Sequence, residues 1–184
     1  MAYASRAGEK LEHALREFKT SVLDKTCADF GSSTGGFVDA LLAHGAARVY
    51  AVETGYGVLD WKLRNDKRVI VMERTNAMHV LLPELMDIIS IDTSWTKLKN
   101  VLPSAINNLK PNGFIIALLK PHYEVEQKLL RAGTISEKQA SDVVQRVCKE
   151  IESTGLSVLK QTKSPIKGGK GGNVEYLLLI ARGE

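Results

Sequence analysis

Apolar residues recur along this chain in two patterns that alternate from the N-terminus onwards. Spacings of three and four residues predict amphipathic helices, and short continuous apolar runs predict buried strands. Runs of the second kind are typical of parallel strands covered by helices on both faces of a sheet. The predicted helices are Glu9–Phe18, Phe37–Leu42, Leu59–Arg64, Leu98–Leu109 and Ala140–Ile151. The predicted strands are Thr26–Asp29, Arg48–Glu53, Val69–Met72, Met86–Ile91, Phe114–Leu119, Leu156–Thr162 and Val174–Ile180.

Turn and capping residues support several of these boundaries. Lys110–Gly113 reads as a turn between a helix and the fifth strand, and Ser136 with Gln139 forms a capping box ahead of the last helix. Strands alternate with helices for most of the chain, and the last two strands follow each other directly. This order predicts an α/β fold with a doubly wound, mostly parallel sheet and an antiparallel hairpin at its C-terminal side.

Composition narrows the function classes only a little. The net charge is +4 and the pI about 9.0, but basic residues crowd both ends of the chain. Such clusters suit a nucleic-acid backbone, although an ordinary soluble surface explains a small excess equally well. Apolar runs are too short to span a bilayer, and the N-terminus shows no signal-peptide pattern. The two cysteines, Cys27 and Cys148, stand in apolar contexts without the spacing of metal ligands, which indicates reduced thiols. Taken together, these features predict a cytoplasmic protein.

The stretch Thr26–Phe37 predicts a ligand site, because an apolar run ends at Asp29 and a turn of small residues then leads into a helix. A phosphate-binding loop needs a lysine where Phe37 stands. A dinucleotide turn needs a glycine where Ser33 stands. S-adenosylmethionine suits the turn better, since its methionine end is zwitterionic and can meet both amides and Asp29. A glycine-rich surface turn without a ligand remains an alternative from this stretch alone.

Polar residues end several of the predicted parallel strands, and ligands of open α/β sheets bind beyond those ends. Asp29, Glu53, Asp92 and Lys120 should therefore gather on one rim. Glu53 follows Asp29 by about 24 positions, close to the offset at which an acidic residue binds ribose hydroxyls. Lys120 follows six apolar residues, and a lysine moved toward neutrality can act as a general base. A lysine reaching to solvent at a sheet edge explains Lys120 equally well at this stage. Lys10, at the edge of an apolar helical stripe, reads as a solvated flank.

Six motifs carry a family resemblance over nearly the whole chain. They are SRAGEKLEHAL (Ser5–Leu15), DFGSSTGGFVDALLAHGAARVYAVETGYGVLDWKLRND (Asp29–Asp66), ERTNA (Glu73–Ala77), IDTSW (Ile91–Trp95), LLKPHYE (Leu118–Glu124) and SPIKGGKGGNVEYLL (Ser164–Leu178). Together they resemble the FtsJ-like RNA methyltransferases of the haemolysin A (TlyA) type. The resemblance implies a single Rossmann-like class I methyltransferase domain over residues 1–184, which uses S-adenosylmethionine to methylate ribose 2′-hydroxyls of ribosomal RNA.

The resemblance also assigns site residues. The family's catalytic Lys-Asp-Lys-Glu tetrad falls on Lys10, Asp92, Lys120 and Glu175, so that Lys10 becomes an expected site residue. In the implied mechanism Lys120 takes or steers the ribose hydroxyl proton, and no metal is needed because the sulfonium is an activated leaving group. The expected cofactor-binding residues are Asp29, Gly31, Ser32, Ser33, Thr34, Gly35, Gly36, Phe37, Glu53, Thr54, Gly55, Arg74, Thr75, Asn76 and Asp92.

The expected partner is ribosomal RNA or a ribosomal subunit, bound through the basic N-terminal segment and Lys163–Lys170, with no membrane involved. The chain departs from the family in SRAGEKL and IDTSWTKL, where SRGGxKL and IDVSFxSL are usual, and in Glu126–Glu137, a loose match to a glycine-rich loop. Family members usually carry a small RNA-binding domain ahead of the first motif, and this chain begins at Met1 without one. A non-catalytic RNA-binding or ribosome-assembly module that binds S-adenosylmethionine remains the alternative. A dehydrogenase is disfavoured by Ser33.

Overall fold

The computed structural model describes residues 3–126, 128, 130, 132–168 and 172–183. The helices are α1 (Ala7–Phe18), α2 (Gly36–Ala43), α3 (Trp61–Arg64), α4 (Leu98–Asn107), α5 (Pro121–Glu124) and α6 (Glu137–Glu152). The strands are β1 (Thr26–Phe30), β2 (Arg48–Val52), β3 (Val69–Met72), β4 (Met86–Ile91), β5 (Leu109–Leu119), β6 (Leu156–Lys163) and β7 (Tyr176–Arg182). Each element that the apolar pattern predicts is present, and α5 is an addition to them.

The seven strands form one sheet in the order β3-β2-β1-β4-β5-β7-β6. Strands β1 to β5 run parallel, and β7 lies antiparallel between β5 and β6. The predicted doubly wound, mostly parallel sheet with an antiparallel C-terminal strand is therefore confirmed. The chain winds outward from β1 through β2 and β3, and in the opposite direction from β4 through β5. The reversal places the open crevice of the sheet between β1 and β4.

Helices cover both faces of the sheet and give the molecule two apolar layers. α1, α2 and α3 pack on one face, where Phe37 and Leu177 are buried. α4 and α6 pack on the other face, where Leu102 and Leu178 are buried. The neighbouring residues Leu177 and Leu178 point to opposite layers because side chains alternate along a strand. The buried strands thus read as continuous apolar runs, as the sequence predicted.

The predicted turn at Lys110–Gly113 is wrong, because these residues belong to β5, which begins at Leu109. The pairing with β4 jumps from Leu109 opposite Met86 to Phe114 opposite Ile88, so the turn-forming residues are absorbed as an irregularity within the strand. Gly113 has room there only without a side chain, since a Cβ would lie 2.9 Å from the carbonyl oxygen of Asp87. Proline and glycine signalled a break in the ladder, and the break takes the form of a bulge.

The C-terminal segment also starts its strand later than predicted. β7 begins at Tyr176, so Glu175 lies just before the strand rather than within it. The Ser164 amide donates to the Glu175 carbonyl at 2.8 Å and closes the connection from β6. Of the glycine- and lysine-rich connection between β6 and β7, residues 169–171, including Lys170, lie outside the described part of the chain.

The predicted capping box of α6 is confirmed. Ser136 Oγ accepts from the Gln139 amide at 3.2 Å, and Gln139 Oε1 accepts from the Ser136 amide at 3.0 Å. Two of the amides that a helix start leaves unpaired are thereby satisfied. α6 has 16 residues. Neither it nor any other helix among the described residues is long and apolar enough to cross a bilayer.

Removing this cap should destabilise the fold by a modest amount. Ser136→Ala deletes the acceptor of the Gln139 amide, and the expected loss in free energy of unfolding is about 1 kcal/mol. Urea denaturation followed by circular dichroism measures it. Ser141→Ala, in the exposed interior of the same helix, is the matched control and should leave stability equal or slightly higher, since alanine favours helix. Equal losses in both variants would contradict a role for the cap.

Candidate functional site

The site is built where β1 and β4 end side by side. Phe30 pairs with Ile91, and the Asp92 amide donates to the Phe30 carbonyl at 3.0 Å. Gly31, the next residue along the first strand, therefore lies against the Asp92 backbone. A Cβ at Gly31 would come within 2.6 Å of the Asp92 carbonyl oxygen, and its φ of +86° is one that glycine adopts without strain. Only glycine fits at this junction.

The other two glycines of the turn have different neighbours. A side chain at Gly35, whose φ is +98°, would collide with Leu59 and Leu63 of the segment that forms α3. A side chain at Gly36 would collide with Ser5 in the N-terminal segment. Both glycines therefore allow close packing of the turn against other parts of the chain. Neither requirement involves a ligand.

Three adjoining clefts open along the carboxyl ends of the strands. The rim cleft, of about 300 Å³, lies between the ends of β2 and β4 and the Thr75–Met78 segment. The turn cleft, of about 140 Å³, lies between the glycine-rich turn and Ser5. The lysine cleft, of about 620 Å³, lies beyond the end of β5. Ser94 lines all three clefts, so they lie next to one another.

Glu53 lines the rim cleft and is held both by its own loop and by the glycine-rich turn. Its carboxylate accepts from the Gly55 amide at 2.8 Å, the Ser33 amide at 2.9 Å and the Thr54 hydroxyl at 3.0 Å. Burial would raise the pKa of Glu53, but these hydrogen bonds outweigh it and bring the pKa below its usual value. Glu53 is therefore an ionised acceptor at neutral pH, as contacts to ribose hydroxyls require.

Two buried polar atoms at the turn cleft have neither a hydrogen-bond partner nor an ion-pair partner among the described residues, whereas Asp92 Oδ1, which also lacks a hydrogen bond, is ion-paired with Lys120. The two atoms are Oδ2 of Asp29 and Oγ of Ser32. The other carboxyl oxygen of Asp29 accepts from the Ser90 hydroxyl at 2.7 Å. Burial raises the pKa of Asp29 to about 8, with the Ser90 hydrogen bond opposing the shift and the neighbouring Asp92 and Glu53 adding to it. An unpaired buried polar atom is costly, so the two atoms indicate a place where a polar ligand binds.

The four residues of the expected tetrad form two ion pairs beside the lysine cleft. Lys120 Nζ lies 2.6 Å from Asp92 Oδ1 and donates to the Thr93 carbonyl at 3.4 Å. Lys10 Nζ lies 2.5 Å from Glu175 Oε2. Lys10 and Glu175 are only 7% and 3% exposed, so this pair is almost fully buried. The structure thus brings all four predicted residues to one end of the sheet.

The N-terminal helix and the backbone at Gly168 both pack around the buried pair. α1 buries Leu11, Ala14 and Leu15 against the sheet, and the same orientation turns Lys10 inward. A side chain at Gly168 would collide with the Glu175 carboxylate, so the backbone there approaches the charged group closely. Lys10 is therefore buried beside the lysine cleft, whereas its helical spacing alone indicated a position on a solvated flank of α1.

Most predicted cofactor-binding residues line the rim or turn cleft, but three do not. Gly35 packs against α3. Gly55 donates its amide to Glu53. Arg74 is exposed, and its guanidinium lies 4.5 Å from the centre of the Tyr56 ring. The residues on the cleft walls are Asp29, Gly31, Ser32, Ser33, Thr34, Gly36, Phe37, Glu53, Thr54, Thr75, Asn76 and Asp92.

Aromatic residues that the sequence reasoning did not single out border the lysine cleft. Trp95 is 83% exposed, and its ring centre lies 5.9 Å from that of Tyr123. Lys120 Nζ lies 5.8 Å from the centre of the Tyr123 ring. His122 also lines this cleft, and burial together with the nearby Lys120 charge lowers its pKa. The sequence signal for these residues was their position in the motifs IDTSW and LLKPHYE, two or three residues after Asp92 and Lys120.

Comparisons with known proteins place the chain among methyltransferases. Residues 3–182 match the sequence model described as FtsJ-like methyltransferase. YqxC of Bacillus subtilis strain 168 is 41% identical over 184 residues, covering 97% of this chain and 65% of YqxC. TlyA of Mycobacterium tuberculosis strain H37Rv, named a 16S/23S rRNA (cytidine-2'-O)-methyltransferase, is 39% identical over 97% of this chain and 68% of TlyA.

A hemolysin-type structure from Streptococcus thermophilus superposes with a TM-score of 0.94 at 38% identity, covering 100% of this chain and 68% of that one. The chain therefore spans about two thirds of the length of these relatives. Within the described part of the chain, no group of three or more histidine, cysteine or acidic side chains is placed to hold a metal ion.

The state of Asp29 should be visible in the pH dependence of stability. The folded protein keeps a proton on Asp29 up to a pKa of about 8. The unfolded chain loses this proton near pH ~4, so this residue's contribution to stability is present at low pH and is lost as the pH rises toward 8. Asp29→Asn is neutral at every pH, and its melting temperature relative to wild type should therefore rise between pH 5 and pH 8. Calorimetric melting over this range measures the difference.

Asp142→Asn, an exposed aspartate on α6, is the control and should follow the wild type at each pH. Parallel curves for wild type and Asp29→Asn would show that Asp29 is ionised in the folded protein.

Proposed function

The chain belongs to the FtsJ-like methyltransferases, and from this premise we propose that it transfers a methyl group from S-adenosylmethionine to a ribose 2′-hydroxyl of ribosomal RNA. The observation that carries the proposal is the placement of the Lys120–Asp92 pair between the turn cleft and the lysine cleft. Names given to relatives, TlyA among them, specify rRNA and cytidine-2'-O transfer. We place the protein in the cytoplasm with this substrate.

The rim and turn clefts fit the methyl donor. Glu53, ionised and lining the rim cleft, offers acceptors for ribose hydroxyls, and Thr75, Asn76 and Met78 line the far wall, where a base would lie. The unpaired oxygens of Asp29 and Ser32 suit the polar methionine end, whose ammonium would favour the ionised form of Asp29. When bound, S-adenosylmethionine supplies a methyl group on a sulfonium, which is an activated leaving group.

Lys120 is placed to accept or to orient the proton of the ribose 2′-hydroxyl. Its amine lies at the mouth of the lysine cleft, and both the Asp92 carboxylate and the Thr93 carbonyl fix its direction. In its neutral form a lysine placed in this way can take the proton, and in its charged form it can hydrogen-bond the oxygen as that oxygen attacks. Lys10 and Glu175, buried as a pair on the same cleft, fix the opposite wall. Orientation of the hydroxyl by these groups supplies much of the rate, because the methyl group is already activated.

The lysine cleft suits a single nucleotide taken out of its helix. Its volume of about 620 Å³ is the largest of the three clefts. Trp95 presents an exposed aromatic face at its entrance, close to Tyr123. Unstacked bases of RNA bind to such faces, and the contact is favourable for every base. The cleft can therefore hold the target nucleotide while its 2′-hydroxyl faces Lys120.

Replacing Lys120 should abolish transfer without abolishing donor binding. In Lys120→Ala the group that takes or steers the proton is gone, so methyl transfer to ribosomal RNA should fall by at least about 100-fold. Calorimetric titration with S-adenosylmethionine should give a dissociation constant near that of wild type. Radiolabelled methyl transfer measures the activity.

Lys110→Ala is the matched control, because Lys110 pairs with Asp87 at 2.9 Å between the same two strands but at their opposite end. It should keep full activity. Undiminished transfer by Lys120→Ala would remove Lys120 from the mechanism. Donor binding without transfer in the wild type would favour the alternative of a non-catalytic RNA-binding module.

The two basic segments that were expected to contact RNA meet next to the tetrad. Arg6 Nη2 donates to the Lys167 carbonyl at 3.0 Å, so the N-terminal segment touches the connection between β6 and β7. Both side chains are exposed, and Lys163 also belongs to this surface. We propose that this surface holds the phosphate backbone on either side of the target nucleotide. Lys170, the last residue of the proposed segment, lies outside the described part of the chain.

Removing both charges should weaken RNA binding and make it less sensitive to salt. Arg6→Ala with Lys167→Ala removes two cations, so the slope of log K against log salt should decrease by about 1 to 2. Filter binding of ribosomal RNA at several salt concentrations measures the slope. Lys138→Ala with Lys149→Ala, on exposed positions of α6, is the charge-matched control. Equal slopes for both double variants would place the RNA elsewhere.

A further inference from the structure

The Lys120–Asp92 pair joins two segments at their starts, and a second contact joins the same segments at their ends. One segment runs from Asp92 to α4, and the other from Lys120 through α5. Glu124, the last residue of α5, accepts a hydrogen bond from the Leu98 amide at 2.9 Å through Oε1. Leu98 is the first residue of α4. The two segments are therefore tied at both ends.

Glu124 is well fixed for this role. Glu124 is only 5% exposed, and its backbone carbonyl accepts a hydrogen bond from Arg146 Nη2 of α6 at 3.0 Å. Burial raises the pKa of Glu124, and the hydrogen bond from Leu98 opposes this shift. The carboxylate thus faces the core and is attached to α6 through its own backbone.

α4 depends on this contact for the cap at its start. Its N-cap residue, Lys97, makes no side-chain capping bond within the described part of the chain. The first amides of a helix need acceptors from outside the helix, and an acidic group there also interacts favourably with the helix dipole. Glu124 supplies the acceptor from a distant part of the sequence. The Asp92–Lys97 loop is consequently held between two fixed points.

Residues from both segments face the lysine cleft between the two fixed points. Ser94 and Trp95 lie on one segment, His122 and Tyr123 on the other, and Trp95 lies 5.9 Å from Tyr123 between ring centres. We propose that Glu124 is a positioning residue for the RNA-binding side of the site: by capping α4 it sets the place of Trp95 against Tyr123. The inference rests on the proposed function in taking the lysine cleft as the nucleotide site. Residues 92–96 of the first tied segment also line the rim cleft, but Glu53, Asp29 and the glycine-rich turn lie outside both segments, so donor binding should depend on Glu124 much less than RNA binding does.

A pair of substitutions separates this role from general stability. Glu124→Leu introduces an apolar side chain of similar size and removes the acceptor, whereas Glu124→Gln keeps an oxygen that can accept from the Leu98 amide. In Glu124→Leu the KM for RNA should rise by about tenfold, the effect of one lost hydrogen bond, while kcat changes much less. Glu124→Gln should restore KM to near the wild-type value. The affinity for S-adenosylmethionine should stay near wild type in both.

A spectroscopic measurement tests the placement of Trp95 directly. The chain has two tryptophans, so in a Trp61→Phe background Trp95 reports alone. Its fluorescence anisotropy should fall in Glu124→Leu and recover in Glu124→Gln. Glu126→Gln, an exposed glutamate two positions along, is the control and should change neither quantity. Should Glu124→Leu not fold, hydrogen exchange in the wild type still tests the contact, because the Leu98 amide should be at least about 100-fold protected.

Several results would overturn the proposal. One is an unprotected Leu98 amide, and another is an unchanged anisotropy and KM in a folded Glu124→Leu variant. A rise in KM for Glu124→Gln as large as that for Glu124→Leu would also contradict it. So would a loss of affinity for S-adenosylmethionine as large as the loss for RNA. Failure of the proposed function would look different. Wild-type protein would then transfer no methyl group to RNA, and the anisotropy and exchange measurements would still decide the role of Glu124.

Discussion

The parallel pairing of β1 with β4 is the constraint on which the whole site depends. With Phe30 opposite Ile91, the two strands end level, and Gly31 and Asp92 begin their loops in contact. One loop then leads to α2 and the other to α4, so the chains diverge and leave a crevice between them. The position of Asp92, and through it of Lys120, follows from this register. Sheet topology therefore creates the opening before any ligand-specific side chain is considered.

Three acidic residues meet at this rim, and each has a different set of partners. Asp29 is buried with a single hydroxyl partner, and its pKa rises to about 8. Glu53 receives two backbone amides and a hydroxyl, which lower its pKa. Asp92 is paired with the Lys120 ammonium at 2.6 Å. Three adjacent carboxylates would repel one another if all were ionised and unpaired. Burial, amides and a lysine resolve this repulsion in different ways, and each acid thereby acquires a separate chemical use.

The sequence predicted the elements well because apolar periodicity is local, and it predicted the rim because parallel strands end at one edge. Lys10 shows the limit of such reasoning. Its spacing in α1 indicated a flank facing solvent, since the ion pair that draws it inward is made with Glu175, 165 positions away. Only the family resemblance identified it. The prediction of a turn at Lys110–Gly113 was wrong for a related reason. Pro111 and Gly113 indicate a break in the hydrogen-bond ladder of a strand, but they do not distinguish a chain reversal from a bulge.

The glycine-rich turn joins the two halves of the site through packing rather than through ligand contacts. Gly36 has no side chain because Ser5 lies against it. Five residues later the same N-terminal segment, by then in α1, buries Lys10 against Glu175. One wall of the turn cleft and one wall of the lysine cleft are therefore parts of the same continuous segment, which runs from Ser5 into α1. A displacement of this segment would alter both clefts together, which is a physical reason for donor and acceptor sites to respond to the same N-terminal contact.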